Sequence, residues 1–502
     1  MDFQSIYEKI TSFLMQLKPE EFTIIATRML RDTEDKMPAD YKGVYPWFLL
    51  YLIKQVWLVG GSNLPLKPLT REGMMTLLND CINLEGAAAK ILLSDPDPYA
   101  AIKYLRSLAN LEFDLQRELG LWNIARPYHL FSRLGEDDPL SELSGKKGQL
   151  GVVSALEIFF VIWAWLNKSP ANTVFDPIQL LQHLTYPKTM IGEFFSITSL
   201  TSTNIKTYLE ENRPVKNDLL TVYEKSPLIN KPFLILENGN YLCYSKKLLQ
   251  STISTFFVQL FKKATDQHIE AFASILEKYV GELLTESKLD FFSEHQLKKA
   301  FSGSKVTDFL VVAKDSNIFI EVKSHEIKQL VKVHSKDAQL RKALKDNVIK
   351  ATTQGLELIS TIKANQSNIV KEAQNNYLLI VTATQYDLGP GVLIYNEFLG
   401  EEIAKIAEKR GIDSSLLLPQ NIFVCDIEEF EMFLVSIVNH SLDVSKLMAK
   451  ISAEGLNPQT QKIHFGQNFD DYIKQNPDFP LLKKESDAFI KDLKARFGKL
   501  DL

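Results

Sequence analysis

This chain of 502 residues is 45% hydrophobic and 24% charged, with a net charge of −5 at pH 7. Such a composition is typical of a globular protein with two or three domains, and it excludes a generally basic nucleic-acid-binding protein. The most apolar segment, Gly151 to Leu166, contains Glu157 and is shorter than the roughly 20 residues that span a bilayer, so we expect a buried helix and no membrane contact.

Cysteines and histidines are scattered along the chain. Cys81, Cys243 and Cys425 show none of the spacings typical of zinc sites. The N-terminus lacks the basic region and apolar run of a signal peptide, since Asp2 and Glu8 interrupt it. We therefore expect a cytoplasmic protein without structural zinc.

Residues 1–225 are predicted to form a helical domain. Their apolar residues recur at helical spacing in four segments: Ile6 to Leu17, Pro46 to Val59, Arg71 to Leu84 and Tyr99 to Leu119. All five tryptophans of the chain lie in this part, which predicts a core of its own. Packing in that core accounts for the aromatic residues; the alternative is a surface that binds DNA, a partner protein or a second copy of the chain.

A second domain, of α/β structure with a mixed sheet, is predicted over residues 226–434. Its first signal is a hairpin, Phe233 to Leu236 and Tyr241 to Tyr244, with Asn-Gly in the turn. A helix from Asp266 to Leu284 and a strand from Phe291 to Leu297 follow. The sequence thus predicts that a sheet flanked by helices begins here.

The central feature of this domain is a predicted hairpin over residues 306–323 whose tip lies at Asp315-Ser316. Side chains alternate faces along a strand, and this register sets Asp308 opposite Lys323 and places Glu321 on the same face. The other face is apolar and carries Phe309, Val311, Ile318, Ile320 and Val322. Two carboxylates and an ammonium group on one face suit Mg²⁺ beside a phosphodiester. The alternative is a solvent-exposed face with a weak cross-strand ion pair.

Asp308, Glu321 and Lys323 resemble the Asp, the acidic residue and the lysine of the PD-(D/E)xK nuclease superfamily, which has the restriction-endonuclease-like fold. Thr307 stands where the motif has proline, and the resemblance covers under half of the chain. It implies that Asp308, Glu321 and the carbonyl of Val322 bind Mg²⁺, which Mn²⁺ can replace. It also implies that Lys323 orients or helps to deprotonate the attacking water.

The same resemblance implies two further catalytic residues. Many relatives complete the metal site with a carboxylate from the first helix, and Glu277 lies at the matching position near the edge of the apolar stripe. An ordinary flanking charge is the alternative. Gln354 lies on the apolar face of a predicted helix over residues 336–362, where glutamines of several nuclease branches reach the active site. A buried amide bonded to the backbone is the alternative.

Basic residues are in excess directly after the hairpin. Between Glu321 and Lys350 the chain carries eight basic residues and four acidic ones. We expect the phosphate backbone of a nucleic acid to contact five of them: Lys328, Lys332, Lys336, Arg341 and Lys342. A solvated helix face is the alternative for any single one.

The rest of the chain is predicted to complete the sheet and to end in helices. Tyr377 to Thr382 and Asn421 to Cys425 are expected to be parallel strands, separated by a helix near Glu401 to Arg410. Residues 435–502 are expected to form a helical C-terminal extension with a charged last helix near 483–497.

By resemblance, the sequence predicts a Mg²⁺-dependent endonuclease that hydrolyses DNA, with a bacterial role in restriction or defence against phage. One alternative is an RNase of the same fold, because the metal chemistry does not distinguish the two sugars. The other is a nucleic-acid-binding or scaffold protein without catalysis. The intact set of Asp308, Glu321 and Lys323 argues against that last class.

Overall fold

A computed structural model describes residues 2–36, 38–61, 66–96, 100–116, 122–132, 150–169, 173–182, 184–212, 219–263, 266–327, 337–365, 370, 372–475 and 479–497. The chain divides into two compact units. The first consists of Met1–Ala264 with Lys484–Leu502, and the second of Thr265–Lys483. Across the ranges given above, no helix has the length and apolar character needed to cross a membrane.

Helices and two mixed sheets alternate along the chain, which confirms the predicted α/β class at this level. The helices are α1 (Phe3–Leu14), α2 (Pro19–Thr33), α3 (Pro46–Val59), α4 (Arg71–Leu93), α5 (Ala100–Gln116), α6 (Trp122–Phe131), α7 (Val152–Lys168), α8 (Pro177–Leu180), α9 (Lys188–Thr198), α10 (Ile205–Glu211), α11 (Lys246–Lys263), α12 (Asp266–Glu286), α13 (Glu294–Ala300), α14 (Asp337–Leu344), α15 (Lys350–Asn365), α16 (Gly391–Ile394), α17 (Gly400–Arg410), α18 (Ile427–His440), α19 (Val444–Leu456), α20 (Asp470–Gln475) and α21 (Pro480–Phe497). The strands are β1 (Val174–Phe175), β2 (Ser199–Thr201), β3 (Phe233–Ile235), β4 (Tyr241–Cys243), β5 (Phe291–Ser293), β6 (Phe309–Val312), β7 (Ser316–Lys323), β8 (Asn375–Thr382) and β9 (Ile422–Asp426).

The first unit contains a small sheet in the order β1-β4-β3-β2, and β1 and β2 lie in the part of the chain predicted to be helical. The predicted hairpin forms as β3 and β4, but it pairs with β1 and β2 of this unit. The N-terminal stretch of the unit therefore extends to Ala264, past the boundary that the sequence placed at residue 225. β1 and β2 have two and three residues, too few to produce an alternating pattern in the sequence. Aromatic packing supports the sheet, with the rings of Phe195 and Tyr241 4.3 Å apart.

The C-terminal part of the chain is divided between the two units. Although it was predicted as a single extension, α19 and α20 belong to the second unit and most of α21 belongs to the first. Phe489 of α21 packs edge-on against the rings of Tyr128 and Phe160. The Tyr128 hydroxyl also donates a hydrogen bond of 2.7 Å to Asp492. α21 joins the first unit because its apolar face, which carries Phe489, is buried there, although the helix follows the second unit in sequence.

The second unit is built on a sheet in the order β5-β6-β7-β8-β9. β5, β6 and β7 are antiparallel neighbours, whereas β7, β8 and β9 run parallel, as predicted for this half of the sheet. The predicted first strand is shorter than expected, because it ends at Ser293 and α13 begins at Glu294. The side chain of Gln296 accepts a hydrogen bond from the Ser293 amide at 2.8 Å, which starts the helix with a capping box.

Helices cover both faces of this sheet. On one face, Leu310 and Phe319 join the core beneath α14 and α15, which are connected by a π-helical turn. A Cβ atom on Gly355 of α15 would lie 3.3 Å from Leu378, so this helix packs closely on β8. On the other face, a Cβ atom on Gly281 of α12 would lie 3.2 Å from the ring of Phe309. The sheet is thus a central layer, and its polar groups are confined to the strand ends.

The register of β6 and β7 differs from the predicted one by two residues. Val312 pairs with Asn317, and continuation of this register sets Asp308 opposite Glu321, not opposite Lys323. The difference arises because the two-residue turn lies one residue earlier than expected, at Lys314-Asp315, with the Ala313 amide donating to the Ser316 carbonyl at 2.9 Å. A shift of two residues keeps every side chain on its predicted face.

Candidate active site

Asp308 lies immediately before β6 and is held by the backbone of β7. Its carboxylate accepts a hydrogen bond of 2.7 Å from the amide of Val322. Burial raises the pKa of Asp308, and the Val322 hydrogen bond opposes that effect. Thr307, at the position of the motif proline, is fully buried and donates its hydroxyl to the Phe309 carbonyl at 3.0 Å. The backbone before β6 is therefore fixed without proline.

Glu321 is the most deeply buried acid of the site. Its side chain is 3% exposed, and Oε1 accepts a hydrogen bond of 2.6 Å from the Lys323 ammonium. The other oxygen, Oε2, is buried and has no hydrogen-bond partner among the described residues. Burial, followed by the negative charge of Asp308, raises the pKa of Glu321 to about 7. A buried carboxylate oxygen without a donor, beside a second carboxylate, is an environment that a bound cation stabilises.

The carbonyl of Val322 faces the same side as Asp308. The next carbonyl, that of Lys323, accepts a hydrogen bond from the Ala383 amide directly after β8. Successive peptide groups of a strand point in opposite directions within the sheet, so the Val322 carbonyl points away from β8 and toward β6. This orientation fits its predicted role as a metal ligand.

The charged face of the hairpin is not a solvated surface with an Asp308–Lys323 ion pair. Lys323 forms its ion pair with Glu321, and its side chain is only 13% exposed. All three motif residues are thus brought together, as predicted.

Glu277 of α12 lies near this group. It is partly buried, and its pKa is raised by burial and then by the negative charge of Asp308. The charge of Lys323 acts in the opposite direction. Glu277 therefore shares the electrostatic environment of the motif residues, which supports its place among the candidates.

Gln354 lies behind the hairpin on α15. Its amide nitrogen donates a hydrogen bond of 3.3 Å to the carbonyl of Val306, two residues before Asp308. Its amide oxygen is buried and has no hydrogen-bond partner among the described residues. The side chain is thus a partly buried amide bonded to the backbone, and it supports the segment that leads into Asp308. This contact fits the alternative left open by the sequence, and a catalytic role for Gln354 stays a prediction.

The predicted nucleic-acid contacts have different outcomes. Lys328, Lys332 and Lys336 lie outside the described residues. Arg341 is engaged within the protein, since its guanidinium donates to the Glu397 carbonyl at 2.8 Å and lies 3.2 Å from Glu401. Lys342 is exposed on the next position of α14. Arg341 therefore has a structural role, and its contact with nucleic acid stays a prediction.

Two residues near the site were missed by the sequence analysis. Glu294 directly follows β5, at the position that continues the β5–β6 register toward Asp308. It forms an ion pair of 2.7 Å with Lys298, one turn later on α13. The negative charge of Glu294 contributes to the raised pKa of Asp308. The Ser293-x-x-Gln296 capping box is the sequence signal that could have placed a helix here.

The candidate metal ligands of this site do not surround a metal ion with side chains on all sides. Among the described residues, no group of three or more His, Cys, Asp or Glu side chains is arranged to hold a metal ion. Asp308, Glu321 and the Val322 carbonyl instead form a partial set of hard oxygen ligands. Mg²⁺ favours such partial sets, because it retains several water molecules and binds phosphate oxygens.

Comparisons with known proteins give no assignment. No family model, no curated protein and no solved structure matches the chain. The chemistry of the site and the resemblance of its motif therefore remain as the basis for a function.

Proposed function

We propose that this chain is a Mg²⁺-dependent nuclease of the PD-(D/E)xK type that hydrolyses phosphodiester bonds in DNA. The observation that carries the proposal is the state of Glu321. One oxygen of its buried carboxylate is bound by the Lys323 ammonium at 2.6 Å, and the other has no donor among the described residues. Core packing gives no reason to bury such a group, whereas cation binding does.

Each residue of the site has a distinct role in this proposal. Asp308, Glu321 and the Val322 carbonyl would hold Mg²⁺, for which Mn²⁺ could substitute. Such a cation would polarise the phosphate and lower the pKa of a bound water. The Val322 amide keeps the Asp308 carboxylate oriented. The Lys323 ammonium orients the attacking water and balances negative charge that develops on the phosphate.

The resemblance of the motif also supplies the proposed biological setting. We place the enzyme in the bacterial cytoplasm, as an endonuclease in restriction or defence against phage. DNA is the proposed substrate, and we propose that Lys342, which is exposed, contacts its backbone.

The direct test is cleavage of plasmid DNA, single-stranded DNA and RNA by the purified chain, with Mg²⁺ or with EDTA. We expect plasmid cleavage with Mg²⁺, and its loss with EDTA and in Asp308→Ala and Lys323→Ala. Matched controls are Asp315→Ala and Lys314→Ala, because both residues are exposed in the turn of the same hairpin. Cleavage of RNA but not of DNA would identify the enzyme as an RNase instead.

Mn²⁺ binding, followed by calorimetry, tests the site separately from turnover. We expect binding by the wild type and by Asp315→Ala, and at least a tenfold weaker affinity in Asp308→Ala. Cleavage by Asp308→Ala at the wild-type rate, or Mn²⁺ affinity unaffected by that substitution, would overturn the site assignment.

A further inference from the structure

The helix α13 carries a pair of charged side chains beside the candidate active site. Ser293 at the end of β5 pairs with Phe309 at the start of β6, and continuing this pairing by one position brings Glu294 toward Asp308. At Glu294 the chain turns into α13, and the ammonium of Lys298, one helical turn later, lies 2.7 Å from the Glu294 carboxylate. Asp308 and the Lys298 ammonium are thus neighbours of the same carboxylate.

The orientation of α13 leaves Lys298 open to solvent. Leu297 is fully buried in the core of the second unit and fixes one face of the helix. Lys298 follows it by about 100° around the helix axis, on the side of Glu294, and its side chain is 60% exposed. Lys299 is also exposed, but it lies about 100° further on and is turned away from Glu294. Of these two adjacent lysines, Lys298 is therefore on the side of the helix that leads to the site.

The charge of Lys298 acts on the acidic groups of the site. Burial raises the pKa of Asp308, and the positive charge of Lys298 is one of the effects that oppose this rise. It opposes the effect of burial on the pKa of Glu277 in the same way. In return, the pKa of Lys298 is raised, first by its hydrogen bond with Glu294 and more weakly by the charges of Glu277 and Asp308. Lys298 therefore belongs to the electrostatic environment of these acids.

Exposure distinguishes Lys298 from two other cations of the second unit. The Lys323 side chain is 13% exposed and is bound to Glu321, and Arg341 donates to a backbone carbonyl. The ion pair of Lys298 lies at the surface instead, where such pairs contribute little to stability. A phosphate group can therefore displace Glu294 at little cost, and an ammonium group binds phosphate as a compact point charge.

We propose that Lys298 is a substrate-binding residue, which binds a DNA phosphate next to the one that is cleaved. The inference rests on the proposed function, because it takes the cleaved phosphate to lie at Asp308 and Glu321. A strand of DNA held there continues past the site with a phosphate at every nucleotide, and Lys298 offers an exposed ammonium on the α13 side. Glu294 would hold Lys298 in place before DNA binds and release it to the phosphate afterwards.

The test is binding of fluorescently labelled duplex DNA, followed by anisotropy with Mn²⁺ over a range of salt concentrations. Lys323→Ala is the background, because it should retain metal binding and cleave slowly. In this background we expect Lys298→Ala to weaken DNA binding by about fivefold or more at about 0.1 M salt, and to lower the slope of log K against log salt by about 1. Lys298→Arg should restore the affinity to within about twofold, because it retains the positive charge. Lys299→Ala, the matched control, should change the affinity by less than about twofold.

A variant of Glu294 separates a phosphate contact from simple neutralisation of this carboxylate. If Lys298 only cancels the charge of Glu294, loss of both charges in Glu294→Gln/Lys298→Ala should return binding to the value of the background. If Lys298 binds a phosphate, the double variant should bind weakly and keep the lowered salt slope. Glu294→Gln alone should then bind DNA at least as tightly as the background.

Cleavage assays distinguish this inference from the proposed function. With Lys323 intact, Lys298→Ala should raise the KM for DNA by about fivefold or more and leave kcat within about twofold. DNA binding unaffected by Lys298→Ala, an equal loss in Lys299→Ala, or full recovery in the double variant would overturn the inference even if the wild type cleaves DNA. If the wild type binds DNA without cleaving it, the proposed function fails, and the binding measurements still decide the role of Lys298. Absence of DNA binding by the wild type and by Lys323→Ala would overturn both.

Discussion

The ammonium of Lys323 lies 2.6 Å from Oε1 of Glu321, while Oε2 of the same carboxylate has no partner among the described residues. The two residues are separated by one position on β7, so the alternation of the strand puts both side chains on one face. The Lys323 ammonium has three N–H donors, so it can hold Glu321 and still donate to a substrate or a water. A cation bound by Glu321 would weaken this ion pair, because it replaces the ammonium as the counter-charge.

Replacement of Lys323 by alanine should affect catalysis and metal binding differently. We expect Lys323→Ala to reduce the rate of DNA cleavage by about 10²–10⁴-fold, because the attacking water and the phosphate lose their positive partner. Mn²⁺ affinity should be retained or increased, since the ammonium no longer competes for Glu321. Single-turnover cleavage and calorimetry measure the two effects. Lys314→Ala should change neither, and an unchanged cleavage rate in Lys323→Ala would contradict the role given to Lys323.

Without metal, Glu321 should make the stability of the protein depend on pH. Its pKa is raised to about 7 in the folded state, so the folded protein binds this proton more tightly than the unfolded chain. The stabilising contribution is present below the unfolded pKa and is lost as pH rises through 7. In EDTA, from pH 5 to pH 8, we expect the wild type to lose on the order of 2 kcal/mol of unfolding free energy relative to Glu321→Gln.

Urea unfolding at a series of pH values measures this difference. Addition of Mg²⁺ should reduce the loss at pH 8 in the wild type and have a smaller effect on Glu321→Gln. Parallel pH profiles for the two proteins in EDTA would contradict the prediction.

Arg341 and Lys342 should respond differently to substitution although they are adjacent. Arg341→Ala removes a hydrogen bond to the Glu397 carbonyl and should lower the unfolding free energy by about 1 kcal/mol. Lys342→Ala should leave stability unchanged and weaken DNA binding, with a shallower salt dependence. Urea unfolding and fluorescence anisotropy with labelled duplex DNA at several salt concentrations measure the two outcomes. A larger loss of DNA affinity in Arg341→Ala would restore its sequence-based assignment.

Gly391 is required by the close approach of two backbone segments. A Cβ atom at this position would lie 2.0 Å from the carbonyl oxygen of Ile422 and 2.5 Å from that of Pro419. Because these are backbone atoms, we expect Gly391→Ala to destabilise the second unit by about 3 kcal/mol or more. Gly455→Ala is the control, since its Cβ would lie 3.9 Å from Pro390 in ordinary contact. Equal urea midpoints for the two variants would show that the predicted clash is absent.

The three cysteines should be unreactive in the folded protein. Cys81, Cys243 and Cys425 are all buried, and burial raises the pKa of each thiol, that of Cys243 to about 12. Since the thiolate is the reactive form, we expect Ellman's reagent at pH 8 to modify none of the three on the native protein within minutes, and all of them in 6 M guanidinium chloride. Rapid reaction of a native thiol would indicate local opening around it.

The part of the site that could be predicted from the sequence is the face of the hairpin on which the motif side chains lie, because strand alternation sets that face. Alternation alone placed Asp308, Glu321 and Lys323 on one face, and it also survived the error in register, because an even shift preserves parity. The position of the turn sets the register, and it depends on local hydrogen bonds such as that of the Ala313 amide, which the apolar periodicity does not reveal. The internal role of Arg341 was unpredictable for a similar reason, since its partners follow it by more than fifty residues.

Long helices and long strands were the most predictable parts of the fold. α3 has the predicted bounds, and β8 extends the predicted strand by two residues, because each contains enough apolar residues to display its period. β1 and β2 are too short for that. The placement of α21 depends on contacts with Tyr128 and Phe160, which lie hundreds of residues away. No local pattern encodes such a contact.

The division of the chain has a consequence for its synthesis. The ribosome completes Thr265–Lys483 before it makes most of the helix that carries Phe489. Tyr128 and Phe160 therefore gain their packing partner Phe489 only after every residue of the second unit has been made. Truncation before residue 484 would leave all residues of the second unit in place and would remove Phe489 from the core of the first, so its cost should fall on the stability of the first unit.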